Sequence, residues 1–178
     1  NLGFDSLLIH GGMGVDPMGS ATVPIYQTST FAFENVDEGA KCFAGESNGF
    51  IYTRIGNPTI SALEKQVAIL ENGYGGIATA SGMGAVSSIY MAFLQSGDHI
   101  VSTDAVYGPS RVIMETYFKR FGVESTYLNT ADLNAIKAAI KPNTKMLYLE
   151  TPTNPTMALT DIKAASEIAH QHNLVVVV

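Results

Sequence analysis

Two sequence patterns alternate from about residue 60 to residue 178, and this alternation decides the class of fold. Short strand-like runs are separated by stretches in which apolar residues recur at helical spacing. We predict strands at 77–80, 99–102, 124–128, 145–149 and 175–178. We predict helices from 57 or 59 to 73, from about 86 to 97, and at 110–121, 131–140 and 161–170. Alternation with short links predicts a parallel sheet with helices on both faces, an α/β/α sandwich.

Polar side chains indicate where two of these helices begin. Asn57 or Thr59 can cap the first helix, and Thr130 can cap the helix at 131–140, because their side-chain oxygens accept hydrogen bonds from free N–H groups. The final run, 175–178, consists of four valines, which is typical of a central strand buried on both faces. Since the sequence ends inside this strand, we expect a fragment of a longer chain.

The first 56 residues show little periodicity of either kind. A structureless stretch of that length is uncommon inside a compact domain unless it serves a function. Charged residues make up 15% of the chain, against about 25% in an average soluble domain, so we expect extra surface to be covered. The pattern predicts that residues 1–56 form an arm on another subunit and that 57–178 form the first, incomplete part of a ligand-binding domain.

Composition argues against several classes of function. The formal net charge is −6 without a basic cluster, which removes the electrostatic attraction that nucleic-acid binding requires. No apolar run in the sequence approaches the roughly 20 residues of a membrane span. Cys42 is the single cysteine, so no disulfide forms within the chain and a reducing compartment, the cytoplasm, is expected. His170 and His172 have no further metal-ligating residues clustered nearby, and we predict no metal site.

The stretch SGMGA, at 81–85, lies between a predicted strand and a predicted helix. The first turn of a helix carries unpaired N–H groups and the positive end of the helix dipole, and glycines let an anion approach the backbone. The Ser81 hydroxyl can add a donor. The pattern is consistent with an anion site and equally with a plain tight turn.

Three further stretches carry side chains suited to chemistry. Tyr52 and Arg54 are two positions apart on an extended segment, so their side chains share a face and can bind a phosphate between them. A solvated Arg beside a half-buried Tyr is the simpler interpretation. Tyr107 follows the strand at 99–102 and can stack on a planar ligand, transfer a proton, or only pack. Glu150 and Asn154 follow the strand at 145–149 at the same sheet edge, in a proline-rich loop that could equally be turn chemistry.

Six short motifs follow one another along the chain. They are HGG from His10, PIYQTSTF at 24–31, YTRIGNPT at 52–59, ASGMGA at 80–85, VYG at 106–108 and ETPTNPT at 150–156. In this order they resemble the transsulfuration-enzyme family, the pyridoxal-phosphate (PLP) enzymes of cysteine and methionine metabolism. Because the order runs through the whole chain, the resemblance is more specific than any single motif.

The resemblance implies fold type I of the PLP enzymes, in which two subunits of a dimer or tetramer share each active site. It implies that Gly82 and Met83, through their N–H groups, bind the cofactor phosphate together with Ser81. It implies that Tyr52 and Arg54 reach the phosphate in the neighbouring subunit. The segment 1–56 is then an arm that crosses the dimer interface.

The same resemblance gives roles to the residues after the strands. Tyr107 is implied to stack on the pyridine ring and to assist proton transfer with its phenol, which makes it the candidate catalytic residue. Glu150 and Asn154 are implied to line another edge of the ring. The family's cofactor-bearing lysine and the aspartate that pairs with the ring nitrogen lie beyond Val178, and none of the chain's lysines matches the lysine motif.

For the whole protein, the resemblance implies γ-elimination on a sulfur amino acid, with methionine giving methanethiol, 2-oxobutyrate and ammonia. The segment 37–59 resembles methionine γ-lyases, whereas Pro109 stands where those enzymes carry a cysteine and cystathionine γ-lyases a glycine. Cystathionine γ-lyase or O-acylhomoserine sulfhydrylase activity is the alternative within the family. A non-catalytic phosphate-binding module is the alternative of another class, since an anion-binding turn does not imply catalysis.

Overall fold

A computed structural model describes residues 2–14 and 16–178 of the chain. It divides into two compact units, Asn1–Ala78 and Thr79–Val178. In the described residues, no helix is both long enough and apolar enough to cross a membrane.

The first unit contains three helices, as far as the structure describes it: α1 (Phe4–His10), α2 (Val36–Ala44) and α3 (Pro58–Leu70). The expectation of little regular structure before residue 57 is therefore wrong for α1 and α2. A usable signal for α2 was present, because Asn35 caps it by accepting the Glu38 N–H, and Gly45 ends it in the left-handed conformation at φ 73°.

Of the two predicted caps for α3, Asn57 and Thr59, the structure shows Asn57. The Asn57 side chain accepts the Thr59 N–H at 2.9 Å, and Pro58 occupies the first turn, where its missing N–H costs nothing. The turn after α1 packs closely on α3, and a Cβ atom at Gly12 would lie 2.3 Å from the carbonyl oxygen of Ala62. This close approach explains a glycine in the HGG motif.

The second unit is an α/β/α sandwich. Its sheet is formed by β1 (His99–Thr103), β2 (Glu124–Leu128), β3 (Thr144–Tyr148) and β4 (Val175–Val177). All the strand pairs are parallel, and the spatial order is β2-β1-β3-β4. Helix α4 (Gly82–Phe93) precedes β1, and the helices between successive strands are α5 (Gly108–Thr116), α6 (Leu133–Ala139) and α7 (Ile162–Gln171).

Each face of the sheet has its own core. Val101 and Leu147 pack with the α6 and α7 side chains, including Ile136. Their neighbours Ile100 and Met146 point to the other face and pack with side chains of α4 and α5. This alternation follows from the period of two along a strand, and it confirms the predicted sandwich.

Three local predictions need correction. The segment 77–80 forms no strand in the described residues; Ile77 is 89% exposed, and the Ala78 N–H donates to Glu64 Oε1 rather than to a neighbouring strand. The predicted helix at 110–121 is α5 followed, after a break at Tyr117, by a short 3-10 helix at Phe118–Phe121.

The third correction concerns Thr130. α6 is capped by Asp132, which accepts the N–H groups two and three residues later, and Thr130 is buried among other threonines instead. Among the described strands, β4 pairs with β3, and its valines are half-buried. The expectation that this run is a central strand stays a prediction.

Candidate functional site

Between the neighbouring strands β1 and β3, the chain connections run to opposite sides of the sheet. β1 continues through α5 to β2 on one side, and β3 continues through α7 to β4 on the other. In open α/β sheets, ligands bind at the carboxyl ends of the strands beside such a switch point. The stretches after β1 and β3 are those that carry Tyr107 and Glu150.

The structure brings these two residues into direct contact. The Tyr107 backbone N–H donates to Glu150 Oε2 at 2.7 Å. Tyr107 directly precedes α5, and its side chain is 57% exposed. A carboxylate acceptor makes this hydrogen bond stronger than a neutral one, so the position of Tyr107 is tied to that of Glu150. The phenol ring itself remains accessible to a ligand.

The first turn of α4 offers free donors at its N-terminus. Ser81 caps the helix, since its Oγ accepts the Gly84 N–H at 3.0 Å, and the first helical bond runs from the Ala85 N–H to the Ser81 carbonyl. The N–H groups of Gly82 and Met83 therefore have no acceptor within the helix. A Cβ atom at Gly82 would meet no heavy atom within 4 Å, so an anion can approach. This geometry fits a phosphate group.

Side chains beneath this turn join α4 to α5. Ser110, near the start of α5, donates from Oγ to Met83 Sδ at 3.7 Å. The Tyr90 ring of α4 lies 5.4 Å from the ring of Tyr148 on β3. Burial first, and then the neighbouring Tyr148, raise the pKa of Tyr90 far above its ordinary value, so this phenol stays protonated. It supports the site by packing and does not serve as a base.

Asn154 lies further along the same loop. It is exposed within a turn that is closed by the Thr153 and Thr156 hydroxyls, 2.6 Å apart, and by the Met157 N–H donating to the Thr153 carbonyl. None of the hydrogen bonds described for the chain joins Asn154 to Tyr107 or Glu150. The structure therefore brings Glu150 to Tyr107 but leaves Asn154 facing solvent.

Tyr52 and Arg54 belong to the first unit. Tyr52 pairs with Thr30 in an antiparallel bridge, so that two of the six motifs lie side by side. Arg54 is exposed, and its guanidinium carbon lies 5.2 Å from the centre of the Tyr52 ring. The two side chains thus lie together, as predicted from their alternation, and a cation over an aromatic ring is suited to an anionic ligand.

The motif stretch around Asn57 is held rigidly within the first unit. Asn57 is 3% exposed, and its Nδ2 donates to the Tyr26 carbonyl at 2.9 Å. Thr59 Oγ1 donates to the Pro24 carbonyl at 2.8 Å and accepts the Tyr26 N–H at 2.9 Å. These bonds fix the backbone that carries Arg54.

Other candidates contribute less. Cys42 is buried, and His170 and His172 are exposed at the end of α7. Within residues 2–14 and 16–178, no group of three or more His, Cys, Asp or Glu side chains is placed to hold a metal ion.

Sequence reasoning missed the threonines at the carboxyl edge. Thr103 ends β1 and Thr130 follows β2, and both are 2% exposed. They border a cleft of about 550 Å³ that Asp104 and Arg111 also line. The available signal was the place of both threonines after or at the end of a predicted strand, at the carboxyl edge where ligand-binding residues lie.

Comparison with known proteins adds the decisive observation. Residues 5–178 match the model of the family described as Cys/Met metabolism PLP-dependent enzyme. The chain belongs to this family. An L-methionine γ-lyase from Treponema denticola is 48% identical over 172 residues, which cover 97% of this chain and 43% of the relative. A cystathionine γ-lyase from Bacillus subtilis is 41% identical over 174 residues, covering 97% of this chain and 44% of the relative.

A solved structure of the same family carries the cofactor. It is a putative O-acetylhomoserine (thiol)-lyase from Campylobacter jejuni with N'-pyridoxyl-lysine-5'-monophosphate; it is 34% identical, has a TM-score of 0.90, and is matched over 99% of this chain and 44% of its own length. The chain thus spans less than half the length of the relatives it matches. Membership of the family confirms the resemblance, the fold and PLP as the family's cofactor.

Proposed function

We propose that the protein to which this chain belongs is a PLP-dependent lyase that cleaves the bond between sulfur and the γ carbon of a sulfur amino acid. The proposed substrate is methionine, which with water gives methanethiol, 2-oxobutyrate and ammonia. The observation that supports this most is the match to the PLP family over residues 5–178, together with the 48% identity to an L-methionine γ-lyase.

The carboxyl edge of the sheet has the donors that the cofactor's phosphate requires. We assign the phosphate to the N–H groups of Gly82 and Met83, with the Ser81 hydroxyl as a third donor. Ser81 Oγ already accepts from Gly84, so its own proton is available to a phosphate oxygen. A phosphate at the N-terminus of α4 also interacts favourably with the helix dipole.

The remaining residues of this edge orient the ring. When bound, PLP supplies an electron sink that stabilises negative charge next to the amino group of the substrate. We assign Tyr107 to the face of the ring, where its phenol holds or transfers a proton at the substrate. Glu150 Oε2 holds the Tyr107 N–H at 2.7 Å, and we assign Glu150 and Asn154 to the ring's edge.

The first unit is proposed to act in a neighbouring subunit. We assign Arg54 and Tyr52 to the phosphate of that subunit's cofactor, and residues 1–56 to an arm across the dimer interface, with residues 57–178 as the first part of the PLP-binding domain. The support is exposed apolar surface in this unit, including Ile9 at 67%, Phe43 at 72% and Leu63 at 57%, because such surface marks protein interfaces. A homodimer or homotetramer follows from this proposal. We also propose the cytoplasm as the compartment, since a chain with a single cysteine, Cys42, forms no disulfide within itself.

The first test is made on the full-length protein. Borohydride reduction of the natively purified protein is expected to fix one pyridoxyl group per chain, which intact mass spectrometry detects. Incubation with methionine is expected to release methanethiol and 2-oxobutyrate. A protein without a pyridoxyl group would refute the cofactor assignment and favour a non-catalytic phosphate-binding module.

One residue counts against methionine as the substrate without matching the cystathionine γ-lyases. Pro109 lies in the first turn of α5, two residues after Tyr107, where methionine γ-lyases carry a cysteine and where the resemblance therefore departs. A panel of methionine, cystathionine and O-acylhomoserine with sulfide distinguishes these activities. Turnover of cystathionine or O-acylhomoserine without release of methanethiol from methionine would refute our first choice.

A further inference from the structure

A row of buried threonine hydroxyls lies directly behind the Tyr107 and Glu150 pair. Thr103 Oγ1 lies 3.0 Å from Thr130 Oγ1, and Thr130 Oγ1 lies 2.6 Å from Thr160 Oγ1. The three residues are 2%, 2% and 8% exposed, respectively. They come from the end of β1, the stretch after β2 and the stretch before α7, so the row joins three separate segments of the carboxyl edge.

The row continues into the backbone of the site. The Glu150 N–H donates to Thr103 Oγ1 at 3.1 Å, at the point where the pairing of β1 with β3 ends after Ser102 and Tyr148. A side-chain hydroxyl here replaces the carbonyl that a longer strand ladder would supply. The Thr160 N–H donates to Thr151 Oγ1 at 3.0 Å, so the residue after Glu150 is held as well.

Each bond in this series fixes the next group. Thr103 holds the backbone of Glu150, and the Glu150 carboxylate holds the Tyr107 N–H at 2.7 Å. Each hydroxyl has one proton to donate and can also accept, so donation in one direction along the row gives every hydroxyl oxygen at least one hydrogen-bond partner. Buried polar groups joined in this way give a rigid local structure.

We propose that Thr103, Thr130 and Thr160 are positioning residues, which fix Glu150 and thereby the placement of Tyr107 at the carboxyl edge. The link to catalysis rests on the proposed function, in which Tyr107 covers the cofactor ring. The threonines themselves touch neither substrate nor cofactor in this proposal. Their effect passes through the Glu150 backbone and carboxylate.

The test uses Thr103→Val in the full-length protein, because valine keeps nearly the same shape and removes the hydroxyl. Hydrogen exchange of the Tyr107 and Glu150 amides, in protein freed of cofactor, is expected to become about fivefold to tenfold faster, as for the loss of one buried hydrogen bond. In the PLP-bound protein, the visible circular dichroism of the cofactor is expected to change. Thr103→Ser, which keeps the hydroxyl, is expected to show the wild-type amide exchange and the wild-type dichroism.

A matched control is available at the opposite end of the same sheet. Thr144 is 4% exposed, and its Oγ1 lies 2.8 Å from His99 Nδ1 and accepts the Lys141 N–H at 2.7 Å. Thr144→Val removes an equally buried hydroxyl and is expected to lower stability without changing the Tyr107 exchange or the cofactor's dichroism. Equal effects of Thr103→Val and Thr144→Val would reduce the role of Thr103 to general stability and overturn the proposal.

The two proposals fail separately. If the wild-type full-length protein binds no PLP, the proposed function fails, but amide exchange at Tyr107 and Glu150 still decides the role of the threonines. If PLP binds and Thr103→Val leaves both exchange and dichroism as in the wild type, only the positioning role fails.

Discussion

Ser81 combines two roles that a single substitution can separate. Its Oγ caps α4 by accepting the Gly84 N–H at 3.0 Å, and its own proton is proposed to reach the cofactor phosphate. Aspartate is as good a helix cap as serine, and its charge suits a helix N-terminus. Ser81→Asp is therefore expected to keep α4 intact while it places a negative charge where the phosphate is assigned.

The expected magnitudes differ strongly between the two roles. Two unit charges about 4 Å apart repel by about 4 kcal/mol at an effective dielectric constant near 20. We expect Ser81→Asp to weaken PLP binding about 10² to 10³-fold, and to change the free energy of unfolding of the cofactor-free protein by less than about 0.5 kcal/mol. Ser81→Ala should instead lower that free energy by about 1 kcal/mol, through the lost cap, and weaken PLP binding about tenfold.

Equilibrium dialysis of PLP against the full-length cofactor-free variants measures the first quantity, and urea unfolding of the same samples measures the second. A Ser81→Asp protein that unfolds like the wild type and retains wild-type PLP affinity would refute the assignment of the phosphate to α4. A Ser81→Asp protein as destabilised as Ser81→Ala would refute the argument from the cap.

Three further perturbations test the site and the fold. Tyr107→Phe should lower turnover of the full-length enzyme about tenfold or more with little change in PLP occupancy, because stacking survives and the phenol does not; wild-type kcat would remove the proton-transfer role. Burial lowers the pKa of His99. The neutral His99 therefore contributes its full share of the free energy of unfolding above about pH 6.5, and this share decreases as the pH falls toward the lowered pKa. Thermal unfolding midpoints of His99→Gln should depend less on pH over that range, and a dependence equal to that of the wild type would contradict the assignment. Ile136→Ala, at a fully buried position, should lower the free energy of unfolding in urea by about 2–5 kcal/mol. Ile162→Ala, at a 44% exposed position, should lower it by less than half as much, and equal losses would contradict the sandwich core.

The sequence was sufficient for features that depend on local chemistry. Capping chemistry limited the start of α3 to Asn57 or Thr59, because a cap bond forms within three residues, and the structure decided for Asn57. Strand-like runs predicted at 99–102, 124–128 and 145–149 agree with β1, β2 and β3 to within one residue at each end, since β-branched and aromatic residues favour strands. The six ordered motifs were sufficient for the family. The helix start at Ser81 was predicted to be an anion site or a plain tight turn, since free N–H donors follow from helix geometry alone, and the anion site stays a prediction.

Tertiary structure decided whatever depends on residues far apart in the chain. The segment 77–80 has strand-like composition, yet it lacks a neighbouring strand in the described residues, and composition cannot supply one. Thr130 has the side chain of a helix cap, but Thr103 and Thr160, 27 and 30 residues away along the chain, bind its hydroxyl. The Tyr107 N–H likewise meets a carboxylate 43 residues later. Such contacts arise only when the sheet brings the ends of β1, β2 and β3 together, because the order of strands in space differs from their order along the chain.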